Sequence, residues 1–243
     1  LSGPAASLAG AQFLTGLASA VVSDIGGTTT DVAILENGRP KLDPDGAMVG
    51  GHRTMVEAVA MRTYGLGGDS EVRLDLAGLV ARMVLGPRRM LPLSLIGHRF
   101  PDLVIAALEK QIGAVHAQRH EGLFAIHTGL PDSMAAGLSP QEAALYARIA
   151  DQPQPLTQLL TTAPQKSALD RLAARGLVHI CGITPSDALH VLGRQGQWNA
   201  AAARLGLELA ARQKGGNGKP IAKDAEDLAI RIVQRLTRQS SHA

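Results

Sequence analysis

An α/β fold built on a mixed sheet, joined to a small helical subdomain, is predicted by three features of the 243-residue chain. Short apolar runs punctuated by Gly-Gly and Asn-Gly pairs mark strands and hairpins in the first hundred residues. Apolar residues at helical spacing mark helices before and after them. The segment from Leu138 to Leu192 then changes texture, with three short helical patterns leading into an alternating strand. These shifts suggest parts at 1–135, 136–192 and 193–243.

Each element has a local reason. Pro4 near the start of Ala5 to Leu17, with Leu8, Phe13, Leu14 and Leu17 near helical spacing, reads as a first helix. Ala20 to Ile25 is a short apolar run ending in an Asp, the pattern of a strand buried on both faces. Gly26-Gly27 is a tight turn, Thr29 to Leu35 the return strand, and Asn37-Gly38 a hairpin signal before a third strand from Arg39 to Leu42. Val56 to Tyr64 and Ser70 to Leu76 read as a second hairpin around Gly65-Leu66-Gly67-Gly68. Met83 to Ile96 reads as further strand broken at Gly86-Pro87 and Pro92, and Leu103 to Arg119 as a helix striped by Val104, Leu108, Ile112 and Val115.

In the second segment, Ser139-Pro140-Gln141-Glu142 is a capping-type start for a helix to about Ala150. Pro155 to Leu160 and Gln165 to Arg175 follow as helices, and Val178 to Cys181 as a strand. Three helices before such a strand resemble a winged-helix subdomain. Thr184-Pro185-Ser186-Asp187 starts another helix, with Thr184 as N-cap and Asp187 placed to cap back. Trp198 to Arg212 is helical, and Ile221, Ala225, Leu228, Ile232 and Leu236 mark a last amphipathic helix after Gly215-Gly216-Asn217-Gly218.

Composition narrows the classes. Hydrophobic residues at 45% and charged residues at 19% exclude disorder, and one cysteine, Cys181, excludes a disulfide-stapled secreted scaffold and allows a reducing, cytoplasmic setting. Aromatic residues at 2% argue against a platform that stacks single-stranded bases. The formal charge is +3, yet from Ala211 onward seven basic residues face three acidic ones, so the basicity belongs to the tail. Leu8 to Val22 lacks a basic leader and is shorter than the roughly 20 residues that span a bilayer; no membrane is expected as a partner.

The densest chemistry lies in Asp24-Ile25-Gly26-Gly27-Thr28-Thr29-Thr30-Asp31, between two apolar strand runs. Paired glycines let backbone N–H groups approach a polyphosphate, and threonine hydroxyls add neutral donors. Asp24 at the strand end suits Mg²⁺ (or Mn²⁺) or the orientation of an attacking water, with Asp31 supporting that shell. The plainer alternative is a Gly-Gly hairpin whose threonines are strand formers. No Gly-Lys-Ser/Thr follows, so this is no Walker loop, and a strand follows where a Rossmann fingerprint needs a helix.

This hairpin resembles the second phosphate loop of the actin-like (ribonuclease H-like) ATPase superfamily. Ser2-Gly3-Pro4-Ala5-Ala6 before it, Val49-Gly50-Gly51-His52-Arg53-Thr54 and Arg62-Thr63-Tyr64-Gly65-Leu66-Gly67-Gly68-Asp69-Ser70 behind it, and Thr184-Pro185-Ser186-Asp187-Ala188 further on together resemble the hydantoinase/oxoprolinase family, its hydantoinase A-type subunit. The resemblance implies an ATP-dependent hydrolase that phosphorylates the ring carbonyl of a cyclic amide for attack by water. It also admits a carboxylase that activates ketones similarly. It implies ATP with Mg²⁺, a small-molecule cyclic amide or ketone substrate, and a second, hydantoinase B-type subunit. Carried over, Asp24 and Asp31 are catalytic, with Asp24 on the metal. Gly26, Gly27, Thr28 and Thr29 cradle phosphate, and Gly67, Gly68, Asp69 and Ser70 lie near the same cleft. The superfamily's first phosphate loop and adenosine segment have no counterpart here, so we expect the middle portion of a longer protein that binds ATP weakly or not at all alone.

Other candidates carry less. His116 and His120 could share a metal one helical turn apart, although Arg119 intervenes and no third ligand is evident. His179, Cys181 and His190 could form a soft-metal site. His52 and Arg53, after the Gly50-Gly51 pair, fit an anion or substrate contact or a plain turn, and Glu36, Asp43 and Asp45 fit solvated hairpin ends. A sugar-kinase-like regulator with a winged-helix DNA-binding segment is a competing reading, as is an assembly module without chemistry. The recognition-like helix would be Gln165 to Arg175, whose Lys166, Arg171 and Arg175 against Asp170 are thin for phosphate neutralisation.

Overall fold

A computed structural model describes residues 2–44, 48–49, 52–53 and 58–241. The chain is mixed α/β and divides into two compact units, Leu1–Gly68 with Thr237–Ala243, and Asp69–Leu236.

The first unit begins with helix α1 (Ser2–Thr15), then strands β1 (Ala20–Ile25), β2 (Thr30–Glu36), β3 (Arg39–Pro40), β4 (Leu42–Asp43), β5 (Met48–Val49), β6 (His52–Arg53), β7 (Ala58–Val59) and β8 (Met61–Tyr64). β2 is the centre of the main sheet. β1 lies antiparallel along one edge, from Ala20 opposite Leu35 to Ile25 opposite Thr30, while β3 and β8 share the other edge. Asn37 and Gly38 both take positive φ (51° and 75°), as a two-residue hairpin with the twist of its strands requires.

Strand alternation sorts the sheet into two faces. Ala20, Val22 and Asp24 share one face with Leu35, Ala33 and Asp31, and α1 packs there, with Leu8, Ala33 and Leu35 buried. On the other face Val21 is 70% and Ile25 52% exposed. The expectation that β1 is buried on both faces is therefore corrected: among the described residues it pairs with β2 alone, and its covered side is the one that carries α1.

The second unit opens with β9 (Ser70–Asp75) and β10 (Arg82–Arg89), an antiparallel hairpin whose register shifts between Leu85 and Arg89, around Gly86-Pro87. The expected hairpin between Val56–Tyr64 and Ser70–Leu76 does not form. β8 pairs with β2, where Thr63 reaches Asp31, and β9 finds the Met83-Val84-Leu85 run of β10; Val56 and Glu57 lie outside the described residues.

β11 (Leu91–Pro92) leads into helices α2 (Leu93–Arg99) and α3 (Pro101–Ile112), followed by β12 (Phe124–His127) and a short 3-10 turn at Asp132–Ala135. Then come α4 (Pro140–Ile149), β13 (Gln154–Pro155), α5 (Leu156–Leu159), α6 (Ala163–Ala174), β14 (Val178–Gly182), α7 (Pro185–Val191), α8 (Ala200–Ala211) and α9 (Ala225–Ser241). A mixed sheet runs β11-β14-β12-β13, with β11 parallel to β14 and the other pairs antiparallel.

Two further corrections concern helix ends, and each has a tertiary cause. Leu93 to Ile96 is helix where strand was expected, because the Asp187 carboxylate accepts from the N–H groups of Leu93 (3.2 Å) and Ser94 (2.7 Å) and so caps α2. α3 stops at Ile112, well before Arg119, because the Arg212 guanidinium donates to the carbonyls of Ile112 (2.8 Å) and Gln111 (2.9 Å).

Packing in this unit is aliphatic, as the composition requires. Leu145, Ile149, Leu156, Leu169, Leu172 and Leu177 are almost wholly buried in one cluster, each contributing about 1.5–3 kcal/mol by leaving water. α2 and α8 approach closely: a Cβ on Gly206 would lie 2.1 Å from a Leu93 methyl.

Candidate functional site

The Asp24–Asp31 hairpin is the first unit's chemical feature. The Gly26 N–H donates to the Thr29 carbonyl at 2.9 Å, closing a tight turn between β1 and β2. Asp24 and Asp31 are direct cross-strand partners next to that turn, on the face that carries α1. The Ser7 hydroxyl of α1 donates to Asp24 Oδ2 at 2.5 Å, and the Thr63 hydroxyl of β8 to Asp31 Oδ1 at 2.6 Å. Among the described residues each carboxylate keeps its second oxygen free of a hydrogen bond, Asp24 exposed and Asp31 half-buried.

The second glycine segment is built onto the first. Gly68 N–H donates to the Gly26 carbonyl at 2.9 Å, and the buried Thr30 hydroxyl to the Leu66 carbonyl at 2.8 Å. A Cβ on Gly67 would stand 2.4 Å from the Gly26 oxygen and 2.6 Å from the Gly27 carbonyl carbon. Only glycine lets these two backbones meet. The structure thus brings Gly67 and Gly68 to Gly26 and Gly27, with Thr28 exposed and Thr29 half-buried in the turn.

Other expected residues are placed elsewhere. Asp69 and Ser70 open the second unit, where Arg89 donates to the Asp69 carboxylate through Nε (3.3 Å) and Nη2 (3.1 Å), and Ser70 is buried. His52 and Arg53 form β6, paired in register with Val49 and Met48 around Gly50-Gly51, which lies outside the described residues with Thr54. Glu36 pairs with Lys41 at 3.2 Å, and Asp45 is also outside the described residues.

The donor set fits a hard cation. Two carboxylates beside a turn that offers backbone N–H groups and hydroxyls suit Mg²⁺ or Mn²⁺, whose remaining ligands would be phosphate and water. Among the described residues no group of three or more His, Cys, Asp or Glu is arranged to hold a metal unaided.

The histidine candidates separate. His116 and His120 lie beyond the end of α3, so they share no helix turn, and His120 takes φ +67°. His179 is exposed on β14 while Cys181 is fully buried, its thiol pushed up by burial and by Asp187 and so inert as a nucleophile. Both His190 nitrogens are engaged, Nδ1 with the Ser186 carbonyl (2.8 Å) and Nε2 with the Trp198 N–H (3.2 Å).

Thr184 and Asp187 form a reciprocal capping box. Asp187 is wholly buried and accepts from Leu93, Ser94 and both the N–H and hydroxyl of Thr184. Burial pushes its carboxyl up, against hydrogen bonds from Ser94, Thr184 and Leu93. It joins the starts of α2 and α7. The cations of α6 and its C-cap are also taken: Lys166 pairs with Asp170, Arg171 with Glu142, and the C-cap Arg175 donates to the carbonyls of Met134 and Ala136.

Sequence reasoning missed Ser7 and Thr63. A serine on a small-residue helix carries no signal of its own, whereas Thr63 stands inside the Arg62–Ser70 motif.

Comparison with known proteins adds a family. Residues 1–89 match the hydantoinase/oxoprolinase family, bearing out over that segment the resemblance drawn from the motifs. No curated protein matches the chain. Among solved structures, the nucleotide-free acetone carboxylase, described under the mechanism of ATP-dependent acetone carboxylation, is similar over 98% of this chain at 18% identity and a TM-score of 0.47. This chain spans 23% of that one. Among the described residues no helix is long and apolar enough to cross a membrane.

Proposed function

We propose that this chain is the phosphate-binding portion of an ATP-dependent enzyme that activates a carbonyl group, in the hydantoinase/oxoprolinase manner, on a cyclic amide. The observation that carries the reading is the joined pair of glycine turns, Gly26-Gly27 against Gly67-Gly68, with two incompletely satisfied carboxylates beside them. In this reading residues 1–135 are an actin-like ATPase lobe, 136–192 a winged-helix-like subdomain and 193–243 C-terminal helices.

The Gly26 to Thr29 backbone and the Thr28 and Thr29 hydroxyls hold the polyphosphate, Asp24 holds the metal and Asp31 supports it. A divalent cation there would neutralise charge on the phosphates. Asp69, Ser70, His52 and Arg53 are proposed as nearby contacts to phosphate or substrate. The amide oxygen takes the γ-phosphoryl group with ADP leaving; water then adds to the activated carbon, the ring C–N bond breaks to leave an acyl phosphate, and a second water releases phosphate and the carboxylate. The same hairpin would serve a ketone carboxylase, and a hydantoinase B-type subunit and a cytoplasmic site are part of the proposal.

The bonds of Lys166, Arg171 and Arg175 tell against the DNA-binding alternative, since these three cations are spent within the fold. ATP turnover by the protein that carries this chain, assayed with 5-oxoproline or hydantoin and separately with acetone plus bicarbonate, tests the reading. Stimulation by a cyclic amide, lost in Asp24→Ala with folding intact, supports it. Stimulation by the ketone alone moves the assignment to carboxylation, and turnover untouched by Asp24→Ala overturns the hairpin's role.

A further inference from the structure

Two adjoining cavities in the second unit, of about 320 and 640 Å³, share Glu71, Arg73, Met90, His120 and Leu123. Their floors are apolar, with Val72, Leu156, Leu169, Ile180 and Leu209 among the lining residues. Their rims are cationic: Arg119 borders the smaller cavity, Arg88 and Lys166 the larger, and Arg73 both.

The charges on this rim are unequally satisfied. Asp170 is claimed twice, by Lys166 and by Arg88 at 3.4 Å. Glu121 is held by Arg212 at 2.8 Å and accepts from the Gln118 N–H. Arg73 and Arg119 remain without an ion pair or hydrogen bond among the described residues, and the one lining acid they could meet, Glu71, is bound to neither.

His120 stands between the cavities in a left-handed conformation (φ +67°) that is uncommon for any residue but glycine. Burial, then Arg119 and Lys166, hold its imidazole below the ordinary range, with Asp170 opposing. An anion seated beside it would relieve the cationic crowding and make the ring easier to protonate.

We propose that this cleft binds a small organic anion, its carboxylate or phosphate head between Arg73, Arg119 and His120 and its apolar body on the floor around Met90 and Leu123. Guanidinium groups suit either head, since both offer paired oxygens to the fork. The cleft uses none of the residues assigned to the glycine turns, so it stands or falls apart from them.

The test is titration of the protein with benzoate, phenyl phosphate and the neutral analogue benzyl alcohol, followed by calorimetry and by the imidazole resonances of His120. Saturable binding of one or both anions is expected, with a rise in the pH midpoint of His120 and at least tenfold weaker binding of benzyl alcohol. Which anion binds tighter identifies the head group. Arg73→Ala with Arg119→Ala should weaken the anion at least tenfold while leaving the thermal midpoint near wild type. Lys214→Ala, on a cation outside the cleft, should change nothing. No saturable binding, equal binding of benzyl alcohol, or unchanged affinity in the double variant would each overturn the proposal. Should that variant unfold, His120→Gln with the same titration serves, and full retention of anion affinity there would equally overturn it.

Discussion

Asp24 and Asp187 both come from sequence motifs that pair an Asp with Thr, yet their surroundings are opposite. Asp187 is wholly buried with both oxygens committed to Leu93, Ser94 and Thr184. Asp24 is exposed, with one hydroxyl partner and an oxygen to spare. A carboxylate saturated by its own fold holds elements together, while one left incomplete beside backbone donors has capacity for a ligand. By this criterion the hairpin keeps the capacity that its proposed role needs, and the Thr184–Asp187 motif is architecture.

The sharpest way to break the comparison is to remove Asp187. Asp187→Ala would strand the N–H groups of Leu93, Ser94 and Thr184 in the interior, at a cost of about 3 kcal/mol or more. Urea unfolding should show that loss, and amides at the start of α2 should exchange faster. A variant of wild-type stability would remove Asp187 from its structural role and reopen a functional one.

Gly67→Ala comes next. Its methyl group would meet backbone on the Gly26-Gly27 turn with no flexible side chain to give way, so a penalty of about 1–3 kcal/mol is expected. The Gly68 amide, bonded to the Gly26 carbonyl, should lose protection from hydrogen exchange. Retained protection would mean that the two turns are not mechanically joined.

These variants also mark where the sequence was legible. Capping boxes at Ser139 and Thr184 and the Asn37-Gly38 turn form as read, because each is closed by residues within a few positions. The α2 start and the α3 end were not legible, because Asp187 and Arg212 act on them from 93 and 100 residues away in sequence. The candidate site divides the same way. Its hairpin is local and readable, whereas Ser7 comes from a helix whose residues show no reason to reach an aspartate. The exposed outer face of β1 was misread for a related cause, since an apolar run records what a strand could bury and not how many neighbours it has.

Acid sensitivity separates a third carboxylate from both. Hydrogen bonding from Arg171, and then from the Ser139 N–H, holds the Glu142 carboxyl down to about 2. A depressed folded value means that this contribution to stability is complete above the unfolded range near 4.5 and fades as pH falls from there toward 2. Glu142→Gln should flatten that part of the stability profile and leave the region above pH 6 nearly parallel to wild type. An unchanged slope between pH 4.5 and 2 would show that the Arg171 pairing does not persist in solution.

The smallest stability effect carries the largest functional one. Asp24→Asn exchanges an exposed carboxylate for an isosteric amide that can still accept from Ser7, so unfolding should shift by no more than about 0.5 kcal/mol. The negative charge that a cation would need is gone, and metal-dependent ATP turnover by the protein carrying this chain should fall at least a hundredfold. If instead the variant turns over ATP normally, the spare oxygen of Asp24 has no ligand. If it unfolds like Asp187→Ala, the exposed hairpin carboxylate is as structural as the buried one, and the contrast between the two regions fails.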